Sequence, residues 1–306
     1  MRIFNSFEEA KGKIRKAVVT IGCFDGIHLG HKKIIKRLND ISEKIGGEST
    51  LITFEPHPRK VLYPENNDIS LILSKNEKIE FLKKCKLKNI VLVPFTKSFS
   101  KTSSLDFVKT HLLGCIDTKA LIIGNNYQFG YKKEGDNKYL QELTKIYDFK
   151  VIEMPLENIG EKTVSSTQIR KAIKSGNIES ANNYLGYNFF ISGDIEESEK
   201  LPDINNFKVH KIKINDPDKI VPPPGIYAVK TTIKSFHTKA MAVLYKNPDN
   251  DTKTCIKLIS DEFIGNKIYC STYFYKRITD KDILNNNTDI IKELSEAGKI
   301  ISDMPY

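Results

Sequence analysis

Gly22-Cys23-Phe24-Asp25-Gly26-Ile27-His28-Leu29-Gly30-His31 is the stretch on which the reading of this chain turns. Before it, Ala17 to Ile21 forms an apolar-rich run of strand length; after it, Ile34, Ile35, Leu38 and Ile41 recur at helical spacing until Gly46-Gly47 stops the pattern. Strand, glycine turn and helix therefore follow one another. Glycines let backbone amides come close to an anion, and a helix N-terminus presents free N–H groups with a partial positive charge. Two imidazoles three residues apart at that helix start can face one group and donate hydrogen bonds as negative charge builds on its oxygens. The chemistry needs no covalent nucleophile. An isolated His-x-x-His pair is as often structural as functional; the preceding glycines and the strand-to-helix position favour function.

Outward from this element the same alternation continues. Ser49 to Phe54 reads as a strand that Glu55-Pro56-His57-Pro58 must leave as an extended loop, because proline biases its predecessor away from the helical region. Ser74-Lys75-Asn76-Glu77 is a capping box opening a helix with Ile79 and Leu82 inward. Further strands are expected at Asn89 to Val93, Ala120 to Ile123 and Lys150 to Met154, with a helix over Leu105 to Leu113. Ser165-Ser166-Thr167-Gln168 opens another helix, ended by Gly176, and a short helix near Glu179 to Leu185 follows. Such alternation is the mark of a parallel sheet with crossover helices. Beyond Gly186 the period changes to two, in Ile226 to Thr232, Ala240 to Tyr245 and Thr254 to Ile259, so the rest reads as a small β-barrel or sandwich closed by a helix from about Asp280 to Ala297. At 306 residues two domains are the default, and the boundaries are set at 1–186 and 187–306.

Composition narrows the class. Forty per cent hydrophobic and 28% charged residues fit a globular protein, and no apolar run approaches the roughly 18–20 residues that cross a bilayer. No secretory leader is legible in Met1 to Glu9, so a cytoplasmic location is expected. Cys23, Cys85, Cys115, Cys255 and Cys270 are odd in number and widely spaced, with neither a Cys-x-x-Cys pair nor zinc-finger spacing, and read as reduced, packed thiols. A net charge of +10 favours anionic partners without choosing among them; small phosphates rather than nucleic acid or membrane are expected, and oligomeric state is left open.

Several other residues carry chemistry. Ser165, Ser166 and Thr167 set hydroxyls and free amides at a second helix N-terminus, and Arg170 follows one turn later with a fork suited to phosphate oxygens; an ordinary cap with a solvated arginine is the plain alternative. Asn126 offers both donor and acceptor, while Phe54, Tyr127 and Phe129 offer apolar faces to an aromatic ring or to the core. Their place after strands, where open α/β sheets bind ligands, favours the ring. His57, stiffened by Pro56 and Pro58, can meet a phosphate or a ring edge. Asp25 either orients a histidine, helps attract magnesium, or caps its turn.

The stretch Gly-x-Phe-Asp-Gly-x-His-x-Gly-His resembles that of the bacterial bifunctional riboflavin kinase/FMN adenylyltransferase (FAD synthetase) family. So do Thr53-Phe54-Glu55-Pro56-His57-Pro58, Gly124-Asn125-Asn126-Tyr127-Gln128-Phe129-Gly130 and Ser165-Ser166-Thr167-Gln168-Ile169-Arg170, which extend the resemblance over nearly all of residues 14–190. It implies a Rossmann-like nucleotidyltransferase domain with a parallel sheet, followed by a small riboflavin-kinase-like β-barrel. The implied activity joins the AMP part of ATP to FMN, giving FAD and pyrophosphate, with magnesium arriving on ATP and no metal ligand assigned to a side chain. In that reading His28, His31, Ser165 and Arg170 are catalytic. Gly22, Phe24, Asp25, Gly26, Ser166 and Thr167 join them in holding ATP, and Phe54, His57, Pro58, Asn126, Tyr127 and Phe129 place the flavin.

The second half departs from the family. Pro224-Gly225-Ile226-Tyr227-Ala228-Val229 resembles the barrel strand Pro-x-Gly-Val-Tyr-Ala, but the kinase motif Pro-Thr-Ala-Asn is represented by Pro202-Asp203-Ile204-Asn205. That places a carboxylate where a hydroxyl would meet phosphate, and like charges repel. Cys255 falls where the family's glutamate base is expected. The expectation is a barrel without kinase activity. One alternative keeps both activities; another, of a different class, is a non-catalytic flavin-binding regulator or scaffold.

Overall fold

In the computed structural model the described residues are 1–65, 69–125, 127–160, 162–200, 208–234, 236–247, 250–260, 268–280 and 299. Packing divides the chain into two compact units, one of Met1–Ile69 with Lys75–Val164, the other of Ser70–Ser74 with the chain from Ser165 onward. The boundary in the chain thus falls at Val164/Ser165, ahead of the expected Gly186.

In the first unit β1 (Arg2–Phe4) leads through α1 (Phe7–Ala10) to β2 (Ala17–Ile21), and α2 (Leu29–Lys44) leads on to β3 (Glu48–Glu55). After α3 (Pro58–Leu62) come α4 (Lys75–Lys83) and β4 (Asn89–Pro94). α5 (Ser104–Asp106) continues in π-helical turns over Phe107–Leu113, followed by β5 (Thr118–Gly124), α6 (Asn137–Thr144) and β6 (Lys150–Met154). A short hairpin, β7 (Asn158–Ile159) with β8 (Lys162–Thr163), ends the unit. The six main strands are parallel, in the order β1-β4-β3-β2-β5-β6. A parallel sheet is covered on both faces, so its strands read as nearly continuous apolar runs. All five residues of β2 are buried accordingly. Val19, Ile21, Ile52, Val91, Leu121 and Ile123 pack with Phe107, Leu112, Leu140 and Leu143 in one core, while Val18, Leu51 and Ile122 alternate with them and are equally buried.

Connections run to one side from β2 and to the other from β5, so the strand order reverses between these neighbours. Open α/β sheets take their ligands at such a reversal, which here falls at the carboxyl ends of β2 and β5. Thr20 holds the two strands together, its hydroxyl donating to the Ile122 carbonyl at 2.9 Å.

Two local expectations change. Glu55-Pro56 is a cis peptide, and Pro58 opens the short helix α3 instead of extending the loop. Proline suits the first helical position, where its missing N–H is not needed. In α4, Leu82 is buried as expected, but Glu77 and Lys78 are buried too while Ile79 is only half-buried.

In the second unit α7 (Ser166–Lys174) and α8 (Ile178–Leu185) precede six antiparallel strands: β9 (Phe190–Lys200), β10 (Lys208–Ile214), β11 (Gly225–Ile233), β12 (Phe236–Asn247), β13 (Asn250–Ser260) and β14 (Tyr269–Thr279). They close into a barrel, β10-β13-β12-β11-β14-β9, which resolves the choice between barrel and sandwich. Ile169, Ala172 and Ile173 of α7 and Ile178, Ala181 and Leu185 of α8 join Ile191, Tyr227, Leu244, Leu258 and Phe274 in one core. These helical spacings explain why both helices pack with the barrel. Segment Ser70–Ser74 belongs here as well: Leu71 N–H donates to the Asp218 carbonyl (2.6 Å), Ile220 N–H to the Leu71 carbonyl (2.8 Å), and Lys219 Nζ to the Ile72 carbonyl (2.6 Å). The expected final helix over about 280–297 and the Pro202-Asp203-Ile204-Asn205 motif lie outside the described residues.

Candidate active site

The loop between β2 and α2 is built on unusual backbone. Phe24 (φ 47°), Gly26 (φ 86°) and Ile27 (φ 37°) all lie in the left-handed region, although two of the three are not glycine. Such conformations persist where the surroundings over-determine them, and they cluster at functional sites. Here the surroundings are dense: Phe24 and Ile27 are buried, as is Asp25 at 2% exposure. The Cys23 carbonyl accepts from Thr53 Oγ1 (3.1 Å) and from Lys78 Nζ (3.2 Å), tying the loop to β3 and α4.

His28 caps α2 with its own ring, Nδ1 accepting from the His31 backbone N–H at 3.4 Å. An accepting Nδ1 assigns the proton of the neutral ring to Nε2, which is left as a donor. The two rings stack, centroids 3.7 Å apart at 18°, and Phe24 lies against His31 at 4.7 Å. Burial pushes the His28 imidazole down to about 4, only partly opposed by the Asp25 carboxylate. Burial, then the neighbouring His28, then the Lys78 ammonium hold His31 well below the ordinary value. At neutral pH both rings are uncharged, and among the described residues His31 Nδ1 is buried without a hydrogen-bond partner. Gly30 leaves room for the His28 ring: a Cβ there would meet His28 Cε1 and Nδ1 at 3.3 Å, close enough that the ring would have to give by a few tenths of an ångström. Such an arrangement can offer hydrogen bonds from uncharged, preorganised groups.

Gly22, Phe24, Asp25, Gly26, His28 and His31 share the β2–α2 element. Phe54, at the end of β3, meets Phe95 (5.5 Å) and Phe99 (6.1 Å), while Tyr127 and Phe129, beyond β5, stack at 5.6 Å and 19°. All three pack partly buried against the first core. Burial, with a smaller contribution from Cys23, raises the Tyr127 hydroxyl far above its ordinary value. His57 caps α3, Nδ1 accepting from Arg59 N–H at 3.3 Å, and Pro58 is its first helical residue. Asn126 lies outside the described residues. Ser165 caps α7 by accepting from Gln168 N–H at 3.3 Å, with Ser166 half-buried and Thr167 exposed. Arg170 Nε donates to the Ser70 carbonyl at 2.8 Å. These α7 residues belong to the second unit, whereas the histidines belong to the first.

Sequence reasoning missed Lys78. Its signal was positional: Lys78 sits one turn before Leu82, on the face of α4 that is buried. A cleft of about 660 Å³ in the first unit, lined by Lys32, Asn39, Cys85 and Lys86 among others, holds none of the residues above. Among the described residues no cluster of three or more His, Cys, Asp or Glu could hold a metal ion.

A glycine-bearing turn into a helix, at the switch point of a doubly wound parallel sheet and lined by uncharged imidazole donors, defines a nucleotide-phosphate-binding α/β domain. The FAD synthetase profile matches residues 10–168. A bifunctional riboflavin kinase/FMN adenylyltransferase of Buchnera aphidicola (subsp. Acyrthosiphon pisum) is 30% identical over 98% of this chain and 97% of its own length. In Listeria monocytogenes, a bifunctional enzyme of the same description is 31% identical over 75% of this chain and 72% of its own, and an FAD synthetase is 31% identical over 60% and 74%. The crystal structure of a macrolide-efflux protein from Streptococcus pneumoniae matches with a TM-score of 0.86 at 24% identity, covering 100% of this chain and 99% of that one; at that identity the likeness is one of fold. The chain belongs to the FAD synthetase family.

Proposed function

We propose that this protein transfers AMP from ATP to FMN, forming FAD and pyrophosphate. The observation that carries the reading is the stacked, uncharged His28–His31 pair at the start of α2, beside the sheet's switch point. An oxygen of the FMN phosphate attacks the α-phosphorus of ATP in line; the new P–O bond forms as the bond to the β-phosphate oxygen breaks, and pyrophosphate leaves. Such a reaction needs positioning and charge stabilisation more than proton transfer. His28, through Nε2–H, and His31 donate to phosphoryl oxygens, while Gly22, Phe24, Asp25 and Gly26 shape the loop that receives them. Ser165, Ser166, Thr167 and Arg170 offer a second phosphate-binding helix start. Phe54, His57, Pro58, Asn126, Tyr127 and Phe129 are assigned to the flavin. Magnesium enters as part of the MgATP substrate, carried by phosphate oxygens. We place the reaction in the cytoplasm; among the described residues no helix is long and apolar enough to cross a membrane.

The barrel is proposed to be kinase-like and inactive, on the strength of Asp203 and Cys255 in the sequence. A bifunctional reading is favoured by one observation, the alignment of nearly the whole chain with a relative described as bifunctional. Flavin chromatography after parallel incubations with FMN or riboflavin, each with MgATP, separates the two. FAD from FMN alone supports the single-step reading, and FMN or FAD from riboflavin restores the kinase. No FAD from FMN, with His28→Ala indistinguishable from wild type, removes the transferase reading.

A further inference from the structure

Among the described residues of the first unit, Lys78 is the one lysine with less than a tenth of its surface exposed. Its Nζ donates to the Cys23 carbonyl at 3.2 Å, inside the Gly22–Gly26 loop, and its charge reaches His31 on α2. A buried ammonium is expensive unless its donors and its charge are both used. One N–H is spent on Cys23, and the anion expected at the start of α2 is a polyphosphate. We infer that Lys78 is a positioning residue for the transfer reaction: it fixes the loop through the Cys23 carbonyl and supplies the buried positive charge beside the His28–His31 pair. This inference rests on the proposed reaction at that same site.

The assignment follows from what the histidines lack. Two uncharged rings donate hydrogen bonds but bring no net charge to a triphosphate. The charged and titratable groups acting on His31 are His28 on its own helix and Lys78 on α4, whose neighbour Glu77 is also buried; Asp25 in the loop acts on His28. Of these, Lys78 alone is cationic. Its location on α4, a separate element, makes the loop's path depend on how α4 is seated.

The test compares full-length Lys78→Met, Lys78→Gln and Lys78→Arg. Gln retains a donor for Cys23 without the charge; Arg retains the charge. Expected results are a fall in kcat/KM of about tenfold to a hundredfold for Met and Gln, with Arg recovering most of the loss. In Met and Gln the acidic limb of the pH profile, and the His31 imidazole resonance, should move to higher pH, which a purely structural residue would not cause. Gln matching wild type in kcat/KM, with an unmoved His31 titration, would overturn the charge assignment. If Met does not fold, the Gln and Arg pair decides alone. If wild type forms no FAD, the transferase reading has failed, and the His31 titration with MgATP binding still decides the role of Lys78.

Discussion

The rings of His28 and His31 lie stacked at 3.7 Å, and the first of them accepts a hydrogen bond from the backbone of the second. Two imidazoles so placed cannot both be charged cheaply, since each proton repels the other and burial penalises both. In the proposed reaction they therefore act as donors from neutral N–H groups.

The pH dependence of stability follows. His28 falls from its ordinary 6.5 to about 4 in the folded protein. Between those values the unfolded chain binds the proton and the folded chain does not, so stability is complete above pH 6.5 and declines as pH falls toward 4. One group with this shift contributes on the order of 3 kcal/mol across the window. Urea unfolding of wild type and His28→Gln between pH 7 and pH 4 should show a steeper decline for wild type; parallel curves would contradict the assignment.

Gly30→Ala should harm turnover more than stability. Alanine favours a helix over glycine by about 1 kcal/mol, but its Cβ would press on the His28 ring at 3.3 Å. The expected outcome is a melting temperature within a few degrees of wild type and a fall in FAD formation of about tenfold or more. Unchanged kinetics would mean that the ring position is not critical.

Ser165→Ala removes the acceptor that caps Gln168 N–H on α7. The loss should be about 1 kcal/mol of stability, read from chemical unfolding. Ser165→Asp, which keeps a cap, should retain the stability but add a negative charge at the helix start; if phosphate binds there, the KM for one substrate rises.

Asn182 is the polar clasp between α8 and the barrel. Its side chain donates to the Phe274 carbonyl (2.9 Å) and accepts from Phe189 N–H (2.7 Å). Asn182→Ala strands both backbone groups, and a loss of about 2–3 kcal/mol is expected. A smaller loss in thermal or chemical unfolding would show that water replaces the side chain.

Much of this was legible beforehand, for identifiable reasons. Buried parallel strands and one-sided helices leave strong periodic signals, so β2, α2 and the face carrying Leu38 are readable from Ala17 to Gly47. Caps are local chemistry, and Ser165 behaves as its spacing suggests. The misses are non-local. Nothing around Lys78 says that a charged side chain will turn inward, because the reason is the Cys23 carbonyl, 55 residues away. Likewise the apolar faces of α7 and α8 show that they pack, but not that their partner is the barrel. Pro58 both constrains its predecessor and suits the first position of a helix, and the sequence does not say which of these prevails.

Segment Ser70–Ser74 bears on how the protein is made. Synthesis delivers it to the growing chain early, yet its partners Arg170, Asp218 and Lys219 emerge much later, the Lys219–Ile72 contact spanning 147 residues. A single cut between Val164 and Ser165 would therefore keep the first unit whole while depriving the second of Ser70–Ser74. Folding of the amino-terminal half can begin during translation, but the crossover from Ser70 to Ser74 is settled only after most of the chain has been made.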